Sequence, residues 1–199
     1  MELAYNWFPP YSYNLALFVF ISGYFYKTDY EENIGKYIWK RTKRLLIPAY
    51  LWNIFYGGMV AFLGLFGFTI GAKPDLYNLF VMPFVDGEAF QYNLGSWFVY
   101  PLFLVCIINV LFRKFLKLIH LDNEFIVLIV YLAIGMIAIN TAIENPTAIN
   151  GIVKLFGRTM FFLPCYEFGR FYKAVLEKKD TLNNVAYLSL IHISEPTRP

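Results

Sequence analysis

The chain has 199 residues, of which 58% are hydrophobic, 21% aromatic and 16% charged, with a formal net charge of +3. Soluble domains carry roughly 25% charged residues, so this composition excludes an ordinary water-soluble globule and is typical of a membrane protein. The basic residues form short clusters at the ends of apolar runs, a distribution that does not favour nucleic-acid binding.

Five apolar segments follow one another along the chain. They cover residues 13–26, 45–70, 96–112, 125–143 and 152–172. A membrane-crossing helix needs about 20 apolar residues, a length that the second and fourth segments reach by themselves. Helix is favoured over strand because a lone strand would leave its backbone groups unpaired in lipid. The sequence therefore predicts an all-α fold, a polytopic membrane helix bundle with about five transmembrane helices.

Basic and non-basic flanks alternate between these segments. Lysine and arginine follow the first, third and fifth segments, whereas acidic or uncharged stretches follow the second and fourth. By the positive-inside rule the basic loops are cytoplasmic, and the first segment therefore enters from outside. This orientation suggests that a further helix precedes residue 1 and that the chain begins within a longer gene.

Two motifs near the N-terminal end contain candidate site residues. Ser22 and Gly23, in FVFISGYFYK, are small residues of the kind that let a neighbouring helix approach, so a packing contact is the simplest interpretation. Arg41 and Arg44, in KRTKR, immediately precede the second segment. Guanidinium groups bind phosphate oxygens in a bidentate manner, so this pair could hold an anionic cofactor. Composition by itself favours the other interpretation, a topology anchor that interacts with anionic lipid headgroups.

Ionisable and aromatic residues in later segments are candidates for a polar cavity or for structural roles. Glu167 and Arg170 are three residues apart in FFLPCYEFGRFY, either facing the bundle interior or forming an intrahelical ion pair with Arg170 reaching the membrane surface. Arg158 is predicted nearer the outer half of that helix, as the wall of a polar cavity. Trp97 follows an outward-facing loop, where tryptophan is ordinarily an interface anchor.

Several classes of catalytic and metal site find no support in the sequence. His120 is predicted on a cytoplasmic loop, solvated or at the membrane interface, and without a partner that would make it a base. Cys106 and Cys165 lie in apolar segments, without the spacing of a disulfide framework or a metal site. The chain contains no HExxH, Walker, GxSxG or CxxC motif, so no metal is predicted.

Four motifs together resemble the acyltransferase-3 family of integral membrane acyltransferases, and within it the fucose 4-O-acetylase-like members. They are, in order, FVFISGYFYK, KRTKRLLIPAYLW, GSWFVYPLFL and FFLPCYEFGRF, and they span about residues 11–173. The resemblance implies a bundle of about ten membrane helices, of which this chain would hold half. It also implies acetyl transfer from acetyl-CoA to a carbohydrate hydroxyl, in a multi-pass protein of the bacterial inner membrane. The implied partners are membrane lipid, acyl-CoA and a carbohydrate acceptor.

The resemblance also bears on individual residues. Arg41 and Arg44 match the family's Arg-x-x-Arg after its second helix, which is thought to engage the CoA donor. The family's catalytic histidine lies in a first helix that this chain lacks, and Asn14 stands where many relatives have a second histidine. No catalytic residue is therefore predicted, and the chain as given is expected to be inactive.

Alternatives from other functional classes remain open at this point. Arg158, Glu167 and Arg170 could line the path of a transporter or flippase-like bundle for a glycan or lipid. A non-catalytic membrane subunit is a third interpretation.

The last twelve residues, LSLIHISEPTRP, differ from the apolar chain before them. They resemble the translation of an adapter used in transposase-based sequencing libraries. We therefore predict a partial membrane acyltransferase domain over residues 1–187 and a non-biological tail over residues 188–199. On this interpretation His192 is not a candidate base.

Overall fold

The structure, a computed structural model, describes residues 12–68, 71, 74–85, 90–144 and 151–179. All regular elements in these ranges are helical, so the predicted all-α fold is confirmed. The α-helices described are α1 (Ser12–Tyr24), α2 (Ile34–Arg41), α3 (Ile47–Leu65), α4 (Met82–Val85), α5 (Val99–Leu118), α6 (Glu124–Glu144) and α7 (Gly151–Phe171). Each of the five predicted apolar segments contains one helix, namely α1, α3, α5, α6 or α7.

Three helical stretches are long and apolar enough to cross a membrane. They are Ile34–Leu65, Gln91–Leu118 and Glu124–Glu144. α1 is apolar but shorter, and α7 has sufficient length but carries several charged residues. These stretches agree with a helical membrane bundle.

The basic segment after α1 is helical, although the charge pattern suggested a loop. α2 continues through a π turn, Thr42–Leu46, directly into α3. Pro48 lies at the start of α3 and has no N–H to donate to the carbonyl four residues earlier, which accounts for the local change in helix spacing. Arg41 and Arg44 consequently lie on one continuous helix.

α7 lies at the centre of the bundle and packs against α1, α5 and α6. Its contact with α1 is close enough to require glycine on both helices. A Cβ at Gly23 would overlap the Tyr166 carbonyl, and a Cβ at Gly169 would overlap the Phe20 carbonyl. Gly23, from the predicted small-residue pair, therefore lies at a backbone-to-backbone contact.

α5 and α6 form an antiparallel hairpin. The turn between them contains His120 with a φ of 55°, and the ring centroids of Phe112 and Tyr131 are 5.4 Å apart across the hairpin. α5 and α7 run in the same direction, since Trp97, just before α5, stacks on Phe162 near the middle of α7, whereas Arg113 near the end of α5 contacts Glu167 near the end of α7. The end of α5, the start of α6 and the end of α7 therefore lie together, at the end of the bundle that the basic flanks predict to be cytoplasmic.

α3 presents many large apolar side chains to its surroundings. Leu51, Trp52, Phe55 and Phe62 are each more than half exposed. A continuous apolar face of this kind is unfavourable in water, whereas in a bilayer it contacts lipid chains. The exposed face of α3 agrees with the membrane assignment.

Candidate functional site

Buried charges meet at the end of the bundle that the basic flanks predict to be cytoplasmic. We call this group the ion cluster; it consists of Glu31, Arg113, Glu124, Glu167 and Arg170. The Glu167 side chain is fully buried and that of Arg113 is only 3% exposed. Buried charges are costly unless they are paired, so each charge in this cluster depends on its partners.

Two arginines each join more than one carboxylate in the ion cluster. Nη2 of Arg113 lies 2.7 Å from Oε2 of Glu124 and also contacts Oε1 of Glu167. Arg170 donates to Glu124 through Nη2 and through Nε, the latter at 3.2 Å. Its Nη1 lies 3.6 Å from Oε1 of Glu31. The ion cluster thus connects α5, α6, α7 and the 3₁₀ turn that follows α1.

The intrahelical ion pair between Glu167 and Arg170, one of the two sequence interpretations, is wrong. Glu167 pairs with Arg113 on α5, and Arg170 pairs with Glu124 on α6 and with Glu31. Arg170 is only 8% exposed, so it points into the protein and does not extend to the membrane surface. Glu167 and Arg170 pair with residues of other elements and not with each other, because the ends of α5 and α7 and the start of α6 lie together at the ion cluster.

A polar cavity of about 120 Å³ lies beside the ion cluster. Besides cluster residues it is lined by Thr28, Leu116, Lys117 and Asp122. Nζ of Lys117 lies 3.9 Å from Oε2 of Glu31 at its rim. The cavity is lined by basic and acidic groups in similar numbers, so it does not favour a strongly charged ligand.

Three buried tyrosines lie next to the ion cluster. We call Tyr26, Tyr37 and Tyr166 the tyrosine layer; all three are at most 5% exposed. The Tyr26 ring packs edge-on against both other rings, with centroid separations of 6.2 Å in each case. The hydroxyl oxygens of Tyr37 and Tyr166 are 3.4 Å apart, and the Tyr26 hydroxyl donates to Oε1 of Glu31 at 3.3 Å. The tyrosine layer is therefore attached to the ion cluster by a hydrogen bond.

Arg41 lies on the other side of the tyrosine layer. Its guanidinium carbon is 5.1 Å from the centroid of the Tyr37 ring, and the side chain is half-buried. Among the described residues no carboxylate pairs with Arg41, in contrast to Arg113 and Arg170. A half-buried guanidinium without an acidic partner is a suitable contact for an anionic ligand.

Further basic residues surround Arg41 on α2 and the π turn. Arg44, the second arginine of the predicted pair, is exposed. Nζ of Lys40 lies 5.5 Å from the Tyr30 ring and Nζ of Lys43 lies 5.0 Å from the Trp39 ring. The structure thus places the predicted arginine pair in a positively charged surface in which the two arginines differ in burial.

Trp97 and Arg158 form a separate pair nearer the opposite end of α7. The Arg158 guanidinium carbon is 4.4 Å from the centroid of the Trp97 ring, which stacks on Phe162. Trp97 is only 6% exposed and Arg158 only 4%, so Trp97 is a buried residue and does not anchor the protein at the membrane surface. Nine residues of helix, about 14 Å, separate Arg158 from Glu167 along α7.

Sequence reasoning missed the partners of Glu167 and Arg170. Arg113 enters the sequence analysis only as one of the basic residues that follow the third apolar segment, and neither Glu31 nor Glu124 is a candidate there. A signal for Arg113 is present in the helical periodicity: the buried face of α5 continues through Cys106, Asn109, Arg113 and Leu116. That spacing places Arg113 on the core face of α5.

The histidine and the two cysteines considered in the sequence analysis do not form a catalytic or metal site among the described residues. His120 is exposed in the turn after α5, and the free thiols are Cys106, which is buried, and Cys165, which is half-buried. Within the described part of the chain, no three His, Cys, Asp or Glu side chains are grouped so that they could hold a metal ion. His192 and the predicted tail over residues 188–199 lie outside the described residues.

The sequence of residues 2–196 matches the family model acyltransferase-3, which is described as an acyltransferase domain. The match covers nearly the whole chain. No curated protein and no solved structure matches the sequence. The finer likeness to fucose 4-O-acetylase-like members stays a prediction.

Proposed function

The chain belongs to the acyltransferase-3 family, a family of membrane acyltransferases, and we propose that its donor is acyl-CoA and its acceptor a carbohydrate hydroxyl. In this reaction the acceptor oxygen forms a bond to the acyl carbon while the bond from that carbon to the CoA sulfur breaks. The acceptor proton ends on the released thiol. The proposal assigns donor binding to named residues and assigns no catalytic base.

The observation that carries the donor assignment is the half-buried guanidinium of Arg41, which lies over the Tyr37 ring. No carboxylate among the described residues pairs with it, whereas the two arginines of the ion cluster are each paired with carboxylates. CoA carries phosphate groups, which accept paired N–H bonds from a guanidinium. Arg44, exposed three residues later, would meet a second phosphate oxygen at the surface. The lysines at positions 40 and 43 add a positive field that attracts an anionic donor.

Other parts of the proposal rest on the family resemblance and on the charge pattern. The positive-inside rule supports a cytoplasmic location for Arg41 and hence access to cytoplasmic acyl-CoA. An acetyl group as the acyl unit, a polysaccharide as acceptor and the bacterial inner membrane as location belong to the same proposal. The transporter alternative is less well supported, because Glu167 and Arg170 pair within one compact cluster.

Replacing Arg41 tests donor binding directly. The full chain, in lipid nanodiscs, would be titrated with CoA by calorimetry. Arg41→Ala should raise the Kd for CoA by about 10- to 100-fold, since one or two hydrogen bonds between charged groups are lost. Arg41→Lys should recover only part of the affinity, because an ammonium cannot bind a phosphate in a bidentate manner.

Lys114→Ala is the matched control, since Lys114 is an exposed basic residue at the same end of the bundle. It changes the net charge by the same amount and should leave the Kd nearly unchanged. An unaltered Kd in Arg41→Ala, or equal weakening by both variants, would contradict specific donor contact through Arg41.

A further inference from the structure

We infer that Tyr26 and Arg170 are positioning residues for Arg41, because the tyrosine layer connects the ion cluster to the Arg41 side chain. This inference rests on the proposed function, in which Arg41 contacts the donor. It adds a set of residues that determine donor affinity without touching the donor. The connection runs in three steps, each of which is a contact between buried or half-buried groups.

The first step fixes Arg170. Its guanidinium donates to both carboxylate oxygens of Glu124 and lies near Glu31, so its position is determined on two sides. Arg170 itself is only 8% exposed, so these partners and not solvent determine its orientation. Its guanidinium lies over the Tyr26 ring.

The second step fixes Tyr26. The Arg170 guanidinium carbon is 5.2 Å from the centroid of the Tyr26 ring, within the range of a cation–π interaction. The Tyr26 hydroxyl donates to Glu31, which also contacts Arg170. Ring and hydroxyl of Tyr26 are thus both held by members of the ion cluster.

The third step connects Tyr26 to Arg41 through the Tyr37 ring. The edge-on contact of Tyr26 with Tyr37 has an interplanar angle of 84°, and the Tyr37 hydroxyl also contacts that of Tyr166. The Arg41 guanidinium lies over the Tyr37 ring. No described carboxylate pairs with Arg41, and the buried Tyr37 ring is a group that restricts this side chain. A cation thus packs at each end of the tyrosine layer.

The test measures CoA affinity of the full chain in nanodiscs. Tyr26→Leu, which removes the ring, should raise the Kd for CoA by about 3- to 10-fold. Tyr26→Phe keeps the ring and should have a Kd close to that of the unaltered protein. Tyr131→Leu is the matched control: Tyr131 is also a buried tyrosine, it donates to Asn109 on α5 at 3.3 Å, and it is not part of the tyrosine layer. Tyr131→Leu should lower stability and leave the Kd for CoA unchanged.

A double-mutant cycle separates positioning from general destabilisation. In an Arg41→Ala background, Tyr26→Leu should produce no additional change in Kd. Equal weakening with and without Arg41, or equal weakening by Tyr131→Leu, would overturn the inference. If Tyr26→Leu does not fold, Arg170→Lys replaces it, because lysine retains the charge opposite Glu124 but loses the planar face.

A second measurement is independent of the donor. Phenylglyoxal modifies accessible arginines, and mass spectrometry reports the rate at each position. Tyr26→Leu should raise the rate at Arg41 several-fold relative to the exposed Arg44; an unchanged ratio would overturn the inference. An unaltered Kd in Arg41→Ala would refute the proposed function, while the phenylglyoxal ratio would still decide whether Tyr26 positions Arg41.

Discussion

At the scale of single residues, Glu167 illustrates how a charge is accommodated within an apolar bundle. Its carboxylate is fully buried and pairs with Arg113, which also reaches Glu124. A buried ion pair adds little net stability compared with apolar residues of similar size, but removing one partner leaves an uncompensated charge. The pair therefore contributes more to the arrangement of α5 and α7 than to the free energy of folding.

Replacing Glu167 alone should be strongly destabilising. Glu167→Leu should lower the free energy of unfolding by about 2–4 kcal/mol. The cost is smaller than for an arginine left without any partner, because Arg113 still pairs with Glu124 in this variant. Unfolding in a detergent series measures this change. Glu32→Leu, at an exposed carboxylate, is the control and should be nearly neutral. If the double variant Glu167→Leu with Arg113→Met is less stable than Glu167→Leu, this account is wrong.

At the scale of helices, α1 and α7 touch backbone to backbone at Gly23 and Gly169. Small residues permit such an approach in a membrane, where the hydrophobic effect does not drive helices together and van der Waals packing replaces it. The close contact also sets the depth of α1, and thereby the position of Tyr26 two residues beyond its end. Helix packing and the tyrosine layer are thus linked.

A methyl group at this contact should separate the helices. Gly23→Ala should destabilise the chain by about 1–3 kcal/mol, because the added Cβ meets a carbonyl that cannot move without its helix. Thermal unfolding in detergent measures the effect. Gly58→Ala on α3 is the matched control: no atom lies within 4 Å of its added Cβ, and the change should stay below about 1 kcal/mol. Equal behaviour of the two variants would refute the packing argument.

At the scale of the whole molecule, the directions of the helices agree with the alternation of basic and non-basic flanks along the chain. α5 and α7 run in one direction and α6 in the other, so the ion cluster and Arg41 belong to one end of the bundle. The positive-inside rule predicts that this end is cytoplasmic. On that prediction, Trp97 and Arg158 lie toward the outer side.

Cysteine labelling tests this orientation. In a background with Cys106→Ala and Cys165→Ala, Gly95→Cys and Leu121→Cys place thiols at exposed positions near opposite ends of α5. In sealed right-side-out vesicles, a membrane-impermeant maleimide should label position 95 at once and position 121 only after permeabilisation. The reverse order would show that the predicted topology is inverted.

The sequence by itself determined the all-α membrane bundle, because the length of an apolar run and the charge of its flanks are local properties. Each predicted segment contains a helix, and the exposure of His120 follows from its place in a turn. Only the tertiary structure decided the partners of Glu167 and Arg170, the inward direction of Arg113 and the contact between Tyr26 and Tyr37. These depend on how each helix is rotated and which helices are neighbours. That information arises from packing between residues far apart in the chain.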